Sequence, residues 1–229
     1  FSFIGISLGV AILIIVMSVM NGFRTELVSK ILGFNAHIIV EPHIKPIDKS
    51  KFSNNKLNSI SSELIITNNS EGVLIRKDIT KGIALRGYSD EDFLKLEFIK
   101  NGNFIGNSKK LIENSISIGK NLSLDYNLNL GDKVSIMSTT GVDTIIGTFP
   151  KQEIFLITSI YDSGLADFDR NIAFINIKTL ENLFNINSSK RSLEIYLKNP
   201  LNINATKTKI QNLYQEEFVY TWADINSSL

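Results

Sequence analysis

No charged residue occurs in positions 1–20 of this 229-residue chain, and that run constrains the fold more than anything after it. A helix rises about 1.5 Å per residue, so twenty residues reach across the roughly 30 Å hydrocarbon layer of a bilayer. The run therefore predicts a transmembrane helix. A secretory leader would have an apolar stretch of only about 7–15 residues and a small-x-small cleavage site, and no Ala-x-Ala precedes Asn21. The chain begins at Phe1 rather than methionine, which predicts that further sequence precedes the run in the full protein. Gly5-Ile6-Ser7-Leu8-Gly9 spells the G-x-S-x-G nucleophile elbow. An elbow needs a strand, a sharp turn and a helix around an exposed serine, and a continuous apolar segment supplies none of these. Gly5 and Gly9 read instead as a small-xxx-small face on which another helix can pack closely.

Beyond Met20 the residues Phe23, Leu27, Val28, Ile31 and Leu32 recur at helical spacing before Gly33, a C-cap candidate. The helix is thus expected to continue out of the membrane and turn amphipathic, either as a packing face or as a collar that touches head groups or substrate. The remainder holds enough residues, with 43% hydrophobic content overall, for one large or two small folded units. Short strands are expected at 36–41, 73–75, 83–86, 133–137, 154–161, 172–175, 193–197 and 218–220. Helices are expected after Ser89, over 116–124, 180–184 and 202–214, with 46–69 read as a polar loop. The class is α+β. Residues 34–78 with 192–222 are expected to pair into one subdomain around a β-rich insertion at 79–191, and 223–229 to begin the approach to another membrane segment.

Several chemistries are excluded. With 24 basic and 23 acidic side chains no extended basic face is available, so nucleic acid is not an expected partner. Cysteine is absent, which removes disulfides, thiolate metal sites and thiol nucleophiles. Gly119-Lys120 lacks the earlier glycine of a phosphate loop. The two histidines, His37 and His43, lack the i, i+4 spacing of a helical metal site, and Asp162, Asp167 and Asp169 miss the calcium-loop pattern and read as a solvated turn. No nucleophile, base and orienting group can be assembled. No catalysis and no cofactor are expected of this chain alone.

Val19-Met20-Asn21-Gly22-Phe23, with Gly5, Gly9, Glu26-Leu27 and Ile31-Leu32-Gly33 around it, resembles the LolC/LolE family of lipoprotein-releasing ABC transporter permeases. Gly82, Arg86 and Gly87 match the family's GxxxRG strand. Ile118-Gly119, Leu122, Leu128, Gly131-Asp132 and Val134 resemble its LGxxLAxxLxxxxGDxV stretch, and Trp222, Asn226 and Leu229 its approach to the second membrane helix. The resemblance implies a bacterial inner-membrane subunit whose first helix is followed, from about residue 21, by a MacB-like periplasmic domain with a porter-like α+β part and a β-rich part. It also implies a separate LolD-type ATPase subunit, a second LolC/LolE-type permease, a lipoprotein substrate and a LolA-type periplasmic chaperone. Val16, Met20, Asn21 and Phe23 would face membrane lipid or the acyl chains of the substrate. The chaperone-docking hook of LolC-type members falls on Thr144, Ile145, Ile146, Gly147, Thr148, Phe149, Pro150, Lys151 and Gln152; Pro150 matches the second of its prolines and Ile145 stands in place of the first.

Read without the resemblance, the same loop is either a projecting apolar patch that marks a partner site or an ordinary hairpin folded back on the core. Two further functional classes stay open: a MacB- or FtsX-like permease domain acting as a mechanical relay or regulator, and a secreted binding module with a cleaved leader.

Overall fold

Helix α1 (Ser2–Phe34) runs unbroken for 33 residues. It passes through Gly33, which is therefore an interior residue of the last turn and not the expected C-cap. What ends the helix is Phe34, only 2% exposed and held in an aromatic cluster, after which the Asn35 N–H returns to the Ile31 carbonyl at 2.9 Å. The computed structural model describes residues 2–54, 59–101, 104–106, 110–144, 147–200 and 203–225; the expected matches at Asn226 and Leu229 lie outside them.

Strand β1 (Ile38–Glu41) is followed by the short helix α2 (Ser50–Asn54) and two long antiparallel strands, β2 (Ser61–Arg76) and β3 (Ile79–Tyr88). Next come α3 (Asp90–Phe93), α4 (Glu97–Lys100), β4 (Phe104–Ile105), β5 (Ser115–Gly119) and α5 (Lys120–Tyr126). Ser89 caps α3 by accepting from the Asp92 N–H at 3.1 Å. A hairpin of β6 (Lys133–Thr144) and β7 (Gly147–Tyr161) leads to α6 (Ala166–Asn171), β8 (Ile172–Asn176) and α7 (Ile177–Phe184). The described chain finishes with β9 (Ser192–Leu197), α8 (Ile203–Leu213), β10 (Phe218–Thr221) and α9 (Trp222–Ile225).

The pairing closes on itself. From β2 the order runs through β3, β8, β5, β7 and β6, and β6 returns to β2 by pairing 135–138 with 72–75. Closure leaves no strand edge open around this six-stranded barrel. Its interior holds Leu74, Leu85, Ile116, Val134, Ile136 and Phe155, plugged by Leu180 and Phe184 of α7. The first half of β2 leaves the barrel and pairs with β9, which continues to β1 and β10. Helices α2 and α8 cover that extension through Phe52, Ile203 and Ile210, packed on Ile38, Val40 and Ile195. Where β2 crosses from one part to the other, a Cβ on Gly72 would sit 3.0 Å from the Phe184 ring and 3.1 Å from the Met137 carbonyl. Glycine is what allows the seam to close.

Two segments depart from expectation. Residues 61–69, expected to be loop, are strand: Ile65, Thr67 and Asn68 are buried and pairing to β9 and β3 satisfies the backbone, so the Ser/Asn-rich composition is overridden by neighbours. Residues 116–119, expected to be helical, form β5. Ile116 and Ile118 point into the barrel with period two and only the segment from Lys120 onward is helix.

Candidate functional site

The membrane half of α1 presents Gly5, Gly9, Val16, Met20 and Phe23 along one face, since at 100° per residue they share an arc of roughly 60°. Val16, Met20 and Phe23 are 52%, 59% and 63% exposed, and nothing lies within 4 Å of a Cβ built on either glycine. Asn21, expected to act with them, is turned about 130° away from the middle of that arc; its carbonyl accepts from the Thr25 hydroxyl at 2.9 Å. Every charge-free turn of the helix is therefore free to meet lipid or other helices.

At its other end the helix is anchored. The Phe34 ring lies 5.0 to 6.0 Å from those of Phe98, Tyr161, Phe168 and Phe174, and the Arg86 guanidinium stands 5.2 Å over its face while donating to the Asn35 side-chain oxygen at 2.7 Å. Below this cluster Glu194 is buried and accepts from the hydroxyls of Tyr88 (3.0 and 3.1 Å) and Tyr196 (3.2 Å). Burial pushes the Glu194 carboxyl above its ordinary range, and the charge of Arg86 opposes that push. His37 completes the joint. Its Nδ1 accepts from the Leu197 N–H at 2.7 Å and its Nε2 lies 3.1 Å from the Leu32 carbonyl, which assigns the proton to Nε2. Its own carbonyl accepts from the Trp222 N–H at 3.0 Å. One residue thus ties the end of α1 to β9 and to the start of α9. Burial lowers the His37 pKa, only partly offset by the bond to Leu32. Both ring nitrogens are occupied, so His37 is a buried, satisfied histidine.

Beside this joint lies a cleft of about 720 Å³ between α1 and the chain leaving β9. Val28 and Leu32 form one wall, Leu197 and Pro200 the other, and Arg24, Glu97 and Lys198 stand around it. A smaller cleft of about 500 Å³ on another side of α1 is lined by Lys30, Ile105, Lys120 and Asp162.

The hook segment is a β-hairpin. Gly141, Val142, Asp143 and Thr144 pair with Pro150, Phe149, Thr148 and Gly147; Ile145 and Ile146 lie outside the described residues. Phe149 is 52% exposed and Pro150 is exposed, so this part of the hairpin does not fold back on the core. Gln152 and Lys151 belong to its base instead: the Gln152 amide donates to Ser135 Oγ at 2.6 Å and Lys151 Nζ to the Asn182 carbonyl at 2.7 Å. The base is bulged at 138–140, where Thr139 donates to the Glu71 carbonyl and Thr140 to the Phe184 carbonyl at 2.8 and 3.0 Å.

The aspartate loop is only partly the solvated turn its composition suggests. Asp169 is 1% exposed and accepts from the Ser163 N–H and hydroxyl at 3.0 and 2.6 Å; burial raises its carboxyl pKa. Asp162 pairs with Lys120 at 2.8 Å. Among the described residues no group of three potential metal ligands occurs.

The cleft and the aromatic joint were not legible from spacing, because Arg24, Glu97 and Lys198, like Phe34, Arg86 and Phe174, meet only through the tertiary fold. The LolC protein of the lipoprotein-releasing system of Neisseria meningitidis is 25% identical over 236 residues, which cover 99% of this chain and 56% of that protein. Its counterpart in Haemophilus influenzae is 28% identical over 211 residues, 87% of this chain and 51% of that protein. The chain spans about half the length of these relatives. Among solved structures, the periplasmic region of MacB from Actinobacillus actinomycetemcomitans aligns with a TM-score of 0.49 and 12% identity over 86% of this chain and 94% of that one. The profile of the MacB-like periplasmic core domain matches residues 1–213, and the chain belongs to that family.

Proposed function

We propose that this chain is the first transmembrane helix and periplasmic module of a permease subunit in an ABC transporter that releases lipoproteins from the bacterial inner membrane. The observation that carries the reading is the similarity to LolC over 99% of the chain, joined to a lipid-facing helix that continues without a break into the folded module. Each acyl methylene taken into water costs about 0.8 kcal/mol, so extracting lipid anchors requires a shielded path and an energy source. In this reading a separate LolD-type ATPase supplies the energy and a second LolC/LolE-type permease completes the path. Met20 and Phe23 contact acyl chains, and residues from about 21 onward lie in the periplasm. The hairpin bearing Phe149 docks a LolA-type chaperone that receives the cargo; its exposed aromatic on a pinned base suits a docking element. Residues 34–78 with 192–222 serve as the porter-like unit and 79–191 as the β-rich unit, with the second half of β2 reaching across to complete the barrel.

The test is photo-crosslinking from position 149 in intact cells, with identification of the captured periplasmic protein. Capture of a LolA-type chaperone, together with co-purification of an ATP-binding subunit, is expected. Absence of both, with crosslinking from other positions working, would sink the proposal. The aromatic anchoring of α1 favours a second reading, a mechanical relay without lipoprotein release. Depletion separates the two: mislocalised lipoproteins are expected only of the first.

A further inference from the structure

The cleft of about 720 Å³ beside α1 starts where the apolar run stops. Arg24 is the first charged residue after the membrane-spanning segment, so the cleft lies at head-group depth when α1 spans a bilayer. Its helix wall, Val28 and Leu32, continues downward through Asn21, Met17, Ile14 and Val10, which fall within the same arc of roughly 60°. A track that is apolar except at Asn21 thus leads from the hydrocarbon layer into a pocket that carries charge.

That charge is not neutralised as the charges around it are. Neighbouring cations are paired internally: Lys30 with Glu26, Lys100 with Glu63, Lys120 with Asp162. Arg24 and Lys198 both line the cleft, and among the described residues neither has a carboxylate partner. Glu97, the one carboxylate of the lining, is exposed and likewise makes no ion pair among the described residues. His37 contributes wall and no ligand, since both its nitrogens are engaged.

We propose that this cleft binds the head group of a zwitterionic, amine-bearing phospholipid. The phosphate meets Arg24 and Lys198, the ammonium meets Glu97, and an acyl chain lies along Met17 and Val10. Guanidinium and ammonium groups both bind phosphate through charge-assisted hydrogen bonds, and a nearby carboxylate selects against head groups that carry only negative charge. The proposal rests on α1 spanning the membrane. It assigns the cleft to resident lipid and leaves the Met20 and Phe23 face for cargo.

The experiment is native mass spectrometry of the full-length protein extracted from vesicles of phosphatidylethanolamine and phosphatidylglycerol mixed three to one, with vesicle flotation as a separate check that the protein spans the bilayer. Retained phosphatidylethanolamine is expected on the wild type. Arg24→Ala with Lys198→Ala should lower its occupancy about tenfold or more, Glu97→Gln should shift retention toward phosphatidylglycerol, and the remote control Lys133→Ala should change neither. Equal retention by the double variant and the wild type would overturn the proposal. So would a double variant that keeps its phospholipid yet fails in lipoprotein release, because a lipoprotein anchor carries glyceride chains but no phosphate and the cleft would then belong to cargo.

Discussion

A methyl group added at Gly119 would collide with the main chain of Asp169, since α6 crosses β5 with no room for a side chain. Gly119→Ala is therefore expected to destabilise the protein by about 1–3 kcal/mol, the usual range for overpacking, seen as a lowered denaturation midpoint; an unchanged midpoint would contradict the packing. His37 makes the pH prediction. Its folded-state pKa lies below the ordinary imidazole value of about 6.5, so the unfolded chain binds more protons between those two values and stability rises with pH across that window. The contribution is present above about pH 6.5 and is lost as the pH falls through the lowered value. Protonation would also take away the acceptor that holds the Leu197 N–H. Unfolding midpoints measured between pH 7 and pH 5 should fall for the wild type and fall less for His37→Asn; parallel profiles would refute the assignment.

Phe34 and Phe149 are both aromatic, yet the elements that carry them use them in opposite ways. Phe34→Ala removes a ring that is 2% exposed at the end of α1 and should cost about 3–5 kcal/mol, measured by thermal unfolding of the purified protein. Phe149→Ala, on the exposed arm of the β6–β7 hairpin, should change stability by less than about 0.5 kcal/mol while abolishing capture of the docking partner by a crosslinker placed at position 148; a large loss of stability would show the hairpin to be structural. Their different legibility in the sequence has a physical basis. The apolar run of α1 and the apolar stretch Ile172-Ala173-Phe174-Ile175 reveal themselves because each is continuous within one short window of sequence. Ile116, Ile118 and Leu122 straddle a strand and a helix, so their spacing mixes two periods and suggests helix throughout. Residues 61–69 form strand because β9 lies beside them, a neighbour more than 120 positions away that no local window can see. The hook segment was placed by the family resemblance, its turn-flanked apolar residues alone leaving a projecting patch and a folded-back hairpin both open, and the cleft was not legible at all: Arg24, Glu97 and Lys198 carry no shared spacing.

On the scale of the whole molecule, the absence of cysteine makes orientation directly measurable. A single cysteine replacing Phe149 should react with a membrane-impermeant maleimide added to the periplasmic side of intact cells, whereas one replacing Ile14 should react only after the bilayer is dissolved. The reverse pattern would invert the topology. The unbroken length of α1 has a mechanical consequence. At about 1.5 Å per residue its 33 residues make a rod of roughly 50 Å, some 20 Å of it beyond the apolar span. A tilt of about 10° pivoting at the membrane surface would carry Phe34 sideways by roughly 3–4 Å. Close-packed rings cannot absorb such a shift by compression. Such a tilt would turn the rod into a crank, and every part of the module farther from the pivot than Phe34 would sweep a longer arc than the turn that drove it.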